Sequence, residues 1–153
     1  MTAPTHQDIR DAIVAIIAGV ADVGVVHAYE RYAERLGELK ELYVADGQVR
    51  GWIVRRISRR ERQAAIGRYV VDTRWQVRGY MSLKDADESE LDFDDRIDAI
   101  VDAFRADETL GGVVATTIVD NAAGLQIEDT GPVMFAGVLC HSARGLLTTR
   151  HYQ

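Results

Sequence analysis

The alternation between Gly67 and Leu83 constrains the fold of this chain more than any other feature. Its odd positions read Gly, Tyr, Val, Thr, Trp, Val, Gly, Met, Leu, whereas the even positions are mostly polar. A period of two is that of a β-strand with one apolar and one polar face. Such a strand would extend about 55 Å at about 3.3 Å per residue, which exceeds the usual length. We therefore expect a bend or bulge near Gly79, or a hairpin arm that reaches beyond the core.

Further strands are predicted on both sides of this segment. Val49–Ile57 is rich in β-branched and aromatic residues and follows an Asp-Gly turn signal, and the basic sequence SRRER after it is interpreted as a loop. Val113–Val119 and Leu125–Ile127 have the composition of strands. The apolar segment Val133–Leu147 is predicted to form one long strand or two.

The first predicted element is an amphipathic helix. Its apolar residues recur at spacings of three and four: Ile9, Ile13, Ile16, Ile17 and Val20. Thr5 with Asp8, or Asp8 with Asp11, would cap its start. Gly19 or Gly24 would end it.

Two more helices are predicted. The stretch from Tyr29 to Val44 is amphipathic, although Gly37 weakens it because glycine costs about 1 kcal/mol in a helix interior. A central helix is predicted to begin at Ser89, with Asp92 completing a capping box, and to end at residues 110–112. Its predicted buried stripe consists of Leu91, Phe93, Ile97, Ile100, Val101 and Phe104.

Helices do not alternate regularly with strands, which favours an α+β fold over a doubly wound one. We predict a single domain over residues 1–153, with a mostly antiparallel sheet on which the N-terminal and central helices pack. A projecting hairpin arm is expected around residues 54–68. With 153 residues, the chain can bury enough surface to fold without disulfides or metals.

The amino-acid composition limits the classes of function that the chain can have. The only cysteine is Cys140, so no internal disulfide can form. No signal peptide is apparent, and no window reaches the roughly 20 apolar residues needed to span a bilayer. A net charge of −6 argues against general affinity for nucleic acid.

Residues that would carry catalysis are sparse. Cys140 and His141 are adjacent, and neighbouring side chains on a strand point to opposite faces, so they would not form a nucleophile–base pair. The acids at Asp85, Asp87 and Glu88 lack the spacing and central glycine of a calcium loop. We therefore predict no catalytic residue, no cofactor and no metal. The alternative of a different class is a small metal-dependent enzyme that uses these acids and a histidine.

Charge is strongly segregated along the chain. Seven of the 18 basic residues lie between residues 50 and 68, and eleven of the 24 acids lie between residues 85 and 108. A monomer gains little from this separation, whereas copies arranged head to tail can bring the two signs together. The residues predicted to lie at such a subunit interface are Arg55, Arg56, Arg59, Arg60, Arg62, Asp85, Asp87, Glu88, Asp94, Asp95 and Asp98.

Segments over nearly the whole chain resemble small tail-assembly proteins of tailed phages, prophages and gene transfer agents. They are Tyr-Glu-Arg-Tyr at 29–32, Gly-Trp-Ile-Val-Arg-Arg at 51–56, Trp-x-Val-Arg-Gly-Tyr at 75–80, Ser-Glu-Leu-x-Phe-Asp at 89–94, Phe-Arg-Ala-Asp-Glu-Thr-Leu-Gly-Gly at 104–112 and Gly-Pro-Val-Met-Phe-Ala-Gly-Val-Leu-Cys-His at 131–141. Among proteins with an assigned role, the tail terminator group is the most similar.

The resemblance implies an α+β subunit of a hexameric ring at the head-proximal end of the tail tube. The ring would stop polymerisation of the tube and offer a surface to the head–tail connector, while DNA passes through its lumen without sequence-specific binding. The partners would be further copies, the tail tube protein and a neck protein, with no membrane involved. Assembly would occur in the host cytoplasm and the product would be part of the virion. The alternatives are a neck or head–tail adaptor and a DNA-binding regulator that uses Arg55–Arg62.

Overall fold

The computed structural model describes residues 2–153, apart from the side chain of Asp85. Over these residues the chain is a mixed α and β structure with a mostly antiparallel sheet and three helices, α1 (His6–Ala18), α2 (Leu36–Glu41) and α3 (Ser89–Ala106). A short 3-10 helix spans Asp85–Asp87. The strands are β1 (Val25–His27), β2 (Val44–Ala45), β3 (Gln48–Ala65), β4 (Arg68–Ser82), β5 (Ile118–Val119), β6 (Ala122–Ala123), β7 (Gln126–Phe135) and β8 (Val138–Tyr152). None of the described helices is long and apolar enough to cross a membrane.

The main sheet has the strand order β1-β3-β4-β8-β7, and β2 pairs with β3. Only β1 and β3 run parallel to each other, and the other described pairs are antiparallel. Two long hairpins, β3–β4 and β7–β8, supply most of the sheet, and β5 and β6 form a small separate hairpin. The prediction of a mostly antiparallel sheet is confirmed.

The alternation in β4 divides its side chains between two cores. Trp75, Val77 and Met81 are buried in a core with α1 and α3, on what we call the helix face of the sheet. The opposite face, which we call the open face, carries a smaller core with Tyr43 and Cys140. The period of two therefore predicted the strand, and its apolar positions lie on the helix face.

The bulge offered near Gly79, one of the three alternatives predicted for this long segment, is not found. The register of β4 with both neighbouring strands continues through Gly79, and the irregularities lie in β3, at residues 56–58 and 63–65. Gly79 is required for a different reason, because a Cβ at this position would lie 2.3 Å from the ring of Trp52. The glycine makes room for an indole on the neighbouring strand.

Helix α1 follows its prediction closely. The hydroxyl of Thr5 accepts a hydrogen bond from the Asp8 N–H at 3.1 Å, and the Asp8 carboxylate accepts one from the Thr5 N–H at 2.8 Å. This capping box satisfies two backbone donors at the start of the helix. Gly19 is the C-cap. The fully buried residues of α1 are Ile9, Ile13 and Ile17.

The helix predicted from Tyr29 to Val44 is mostly wrong. Only Leu36–Glu41 is helical, and Tyr32 and Leu36 are exposed. Tyr43 instead belongs to the smaller core on the open face, and Leu39 and Leu42 pack against that core. A six-residue helix that contains Gly37 and starts without a side-chain cap gains little from its own hydrogen bonds, so tertiary packing determines the path of this segment.

Two details of α3 were predicted wrongly. Glu88, with a φ of 55°, precedes the helix, so Ser89 lies inside it and does not cap it. Leu91 is 59% exposed, although it was assigned to the buried stripe. Phe93, Ile97, Ile100 and Phe104 are buried as predicted. The helix ends at Ala106, before the predicted glycines.

The strands after α3 differ in length from their predictions. Val113–Val119 contributes only β5, and Leu125–Ile127 is the beginning of the longer β7. Val133–Leu147 is divided between β7 and β8 by Ala136 and Gly137, whose φ angles of 50° and 80° suit a two-residue hairpin turn.

Candidate assembly interface

The outer half of β3 is an exposed edge strand. The sequence SRRER, interpreted as a loop, belongs to β3, which continues to Ala65. The neighbours β1 and β2 pair with β3 only at residues 48–53, so within the described chain nothing pairs with the outer side of residues 55–65. Every side chain from residue 55 to residue 69 is exposed. We call residues 55–69, including the turn at Ile66 and Gly67, the arm.

The predicted interface arginines lie on both faces of the arm. Side chains of directly opposed residues share a face of a sheet. Arg56 is opposite Trp75, on the helix face, and Arg60 is opposite Asp72, on the open face. The same register places Arg59 on the helix face and Arg55 and Arg62 on the open face. The irregularity at residues 56–58 changes which positions point to each face.

A cleft of about 320 Å³ lies where the arm meets the start of α1. Arg56, Arg59 and His151 contribute to its wall, together with the first residues of α1. Burial lowers the pKa of His151, so its imidazole is neutral at pH 7. The charge at this end of the molecule therefore comes from the arginines.

The predicted acids lie on α3 and on the turn before it. The exposed members are Asp87, Glu88, Asp94, Asp95 and Asp98, which we call the acidic face. Leu91 is part of the same helical stripe, because Asp94, Asp95 and Asp98 follow it by three, four and seven residues. The prediction for Asp85 rests on a side chain outside the part of the chain that the structure describes.

The fold keeps the arm and the acidic face apart. In the described residues the arm forms two ion pairs, Arg55 with Glu30 at 3.5 Å and Arg59 with Glu61 at 3.0 Å. The ion pairs of α3 involve other acids: Asp92 and Asp102 pair with arginines of the same helix, and Asp22 pairs with Arg96 at 3.8 Å. No ion pair among the described residues joins the arm to the acidic face.

Two other ion pairs on the open face hold the fold itself together. Arg150 donates two hydrogen bonds to the carboxylate of Asp72, at 2.7 and 2.8 Å, and these bonds lower the pKa of Asp72. Burial alone would raise the pKa of Glu30, but hydrogen bonding and the charge of Arg78 outweigh it and hold that pKa below its ordinary value. Both carboxylates are therefore charged at neutral pH.

The structure brings together Ser89 and His141, which are 52 residues apart and were not predicted to be in contact. The Ser89 hydroxyl lies 2.8 Å from Nε2 of His141 and also accepts a hydrogen bond from the Lys84 N–H at 2.8 Å. Ser89 is only 6% exposed, and His141 stacks on Phe93. In the described residues no carboxylate hydrogen-bonds His141, and such an orienting group is part of a serine–histidine catalytic site. The contact anchors α3 to β8.

The other chemical alternatives find little support in the geometry. Cys140 and His141 point to opposite faces, as predicted, since Cys140 belongs to the open-face core and His141 contacts α3. Burial raises the pKa of the Cys140 thiol to about 11, so it is protonated at neutral pH. Within the described part of the chain, no three His, Cys, Asp or Glu residues lie close enough together to hold a metal ion.

Comparison with known proteins adds no relative to this picture. A scan against protein-family models found no match, and a search of curated proteins found none either.

Proposed function

We propose that this protein is a structural subunit whose copies form a ring, the arm of each copy contacting the acidic face of the next. The observation that carries this proposal is the absence, among the described residues, of any ion pair between these two surfaces. Clustered like charges repel each other in a monomer and are stabilised by an oppositely charged neighbour. Because the two surfaces differ, the contact is head to tail, and such contacts close into rings when the rotation permits.

We further propose that the ring is a phage tail terminator of six subunits, bound to the tail tube protein on one side and to a neck protein on the other. The resemblance described above supports this role, and it includes part of each proposed contact surface. The segment at 51–56 includes the point where β3 leaves the core for the arm, and the segment at 89–94 is the start of α3, with Leu91 and Asp94. On this proposal the subunit is tail-terminator-like in fold and has no catalytic residue.

Loss of the gene from its phage or prophage tests the biological role. Electron microscopy of the resulting particles should show tails of uncontrolled length that fail to join heads. Tails of normal length that lack only the connection to the head would indicate a neck adaptor instead. Normal particles would reject both roles.

The mass of the purified protein tests the ring, alone and after addition of tail tubes. Replacing Arg56, Arg60 and Arg62 with glutamate should abolish assembly, because the acidic face would then meet an acidic arm. Exchanging Asp94, Asp95 and Asp98 for arginine in the same chain should restore it. Arg35→Glu, at an exposed arginine outside the arm, is the control and should assemble normally.

A further inference from the structure

The tip of the arm carries an apolar side chain for which the fold provides no partner. Ile66 is 99% exposed in the turn between β3 and β4. A Cβ added at the neighbouring Gly67 would meet no atom within 4 Å. Turns usually contain glycine, asparagine, aspartate, proline or serine, each for a conformational reason that isoleucine does not share. Nothing in the subunit itself explains an isoleucine at this position.

A second exposed apolar residue lies within the acidic face. On the helical stripe of Leu91, Asp94 and Asp95 follow it by three and four residues, and the exposed acids Asp87 and Glu88 lie in the turn just before α3. It projects away from the buried residues of α3, and 59% of it is exposed. The arrangement is that of an interface with an apolar centre and a charged rim.

The two residues cannot meet within one subunit. The strand β4 runs from the arm tip to Ser82, and the chain then passes through the 3-10 helix directly into α3. The 15 residues of β4 place its ends about 45 Å apart at about 3.3 Å per residue. A contact between Ile66 and Leu91 therefore joins different copies.

We propose that Ile66 of one copy packs against Leu91 of the next and forms the centre of the subunit contact. This inference rests on the proposed ring. The partner is a second copy because the arm carries arginines beside its apolar tip, Arg62 and Arg68, whereas acids surround Leu91. Opposite charges around the two apolar side chains exclude water from the contact and fix the register between the two copies.

Mixing two single variants tests the pairing. Ile66→Ser and Leu91→Ser each remove one half of the contact, and both positions are exposed, so folding should be unaffected. Each variant alone should assemble about 10- to 100-fold more weakly than the unaltered protein, as expected for the loss of a central apolar contact. An equimolar mixture retains one intact contact per pair, because the arm of Leu91→Ser meets the helix of Ile66→Ser. Mass photometry should then show heterodimers but no rings.

Matched controls and a cross-link separate this inference from the proposed function. Ile118→Ser and Leu139→Ser alter exposed apolar residues elsewhere and should leave assembly unchanged. A chain with both Ile66→Cys and Leu91→Cys should form disulfide-linked ladders, while the buried Cys140 stays unreactive. Rings that form without cross-links and tolerate Ile66→Ser would overturn the contact and leave the ring intact. A protein that stays monomeric even with tail tubes present would overturn the ring itself, and the contact with it.

Discussion

The two long hairpins of the sheet have turns of equal length but end in different surroundings. Each reverses through two residues that finish in a glycine of positive φ, 71° at Gly67 and 80° at Gly137. At the tip of β7–β8, Phe135 stacks on Tyr80 with ring centroids 4.0 Å apart and meets the edge of Tyr43 at 4.9 Å. At the tip of β3–β4, Ile66 is 99% exposed, and no described atom lies within 4 Å of a Cβ built at Gly67.

The difference shows that two hairpins with turns of equal length contribute unequally to the subunit. The packed tip contributes to the core on the open face, so its side chains stabilise the subunit. The bare tip adds almost nothing to the subunit and is available to a neighbour. The edges differ too, because Pro132 in β7 has no N–H to offer another strand, whereas the outer edge of β3 relies on arginine charge to prevent unwanted pairing.

The largest effect is expected at the glycines inside the two hairpins. Gly79→Ala should destabilise the protein by about 3 kcal/mol, since the new methyl group would overlap the rigid indole of Trp52 at 2.3 Å. Gly145→Ala on β8 should cost only about 1 kcal/mol, because its nearest obstacle, the Leu125 methyl group at 2.9 Å, can rotate away. Urea denaturation measures both free energies of unfolding. Equal losses of the free energy of unfolding would contradict this prediction, because they would show that both glycine sites accommodate an added methyl group equally well.

The tips themselves should differ by a smaller amount. Phe135→Ala should reduce the free energy of unfolding by about 2 kcal/mol, because it removes two aromatic contacts from the open-face core. Ile66→Ala should change it by less than about 0.5 kcal/mol, as for other exposed positions. Both are measured by urea denaturation at a concentration low enough to keep the protein monomeric. A large loss for Ile66→Ala would mean that the arm tip has a partner within its own subunit.

The Asp72–Arg150 pair joins the two hairpins across β4 and β8, and it should respond to pH. Asp72→Asn should cost about 1 kcal/mol at pH 7, because a part-buried bidentate pair is replaced by a neutral amide. The pKa of Asp72 is lowered in the folded protein, so its stabilisation is complete above the ordinary aspartate pKa of about 3.9 and is lost as the pH falls below that value.

The pH series distinguishes the charge from the packing. The difference between Asp72→Asn and the unaltered protein should shrink as the pH is lowered below about 4. Asp129→Asn, which removes an exposed pair with Arg144 at 4.0 Å, should change little at any pH. If Asp72→Asn still lowered the free energy of unfolding at acid pH, the effect would come from the packing of the side chain and not from its charge.

The sequence predicts those parts of the fold in which one local pattern dominates. The stripe of isoleucines and the Thr5–Asp8 capping box predicted α1. The alternation of apolar and polar residues predicted β4 and its apolar face. The interpretation of SRRER as a loop was wrong for a physical reason. Residues 58–62 have no apolar alternation because neither face of this strand is buried, so a strand held mainly by backbone hydrogen bonds has the composition of a loop.

The contacts that depend on residues distant in sequence could not be predicted either. Ser89 was predicted to cap α3, but in the structure its hydroxyl accepts a hydrogen bond from the Lys84 N–H and contacts His141. Leu91 satisfied the spacing of a buried stripe, yet the orientation of α3 is decided by Phe93 and the residues that follow it. Charge segregation was visible in the sequence, but only the three-dimensional arrangement shows that the arm and the acidic face are not neutralised within one subunit.

The smallest effect on the subunit is expected from the charges of the arm. Arg60→Gln combined with Arg62→Gln should leave the free energy of unfolding within about 0.5 kcal/mol of its original value, because exposed charges contribute little to it. The repulsion between the two arginines is offset by their attraction to the Asp72 carboxylate, whose pKa both of them lower. Assembly should weaken in the same variant. At the bare hairpin, assembly is thus expected to change while stability hardly does, whereas Phe135→Ala at the packed hairpin should affect stability first. A loss of stability in the arginine variant would place the arm among the elements that hold the subunit together.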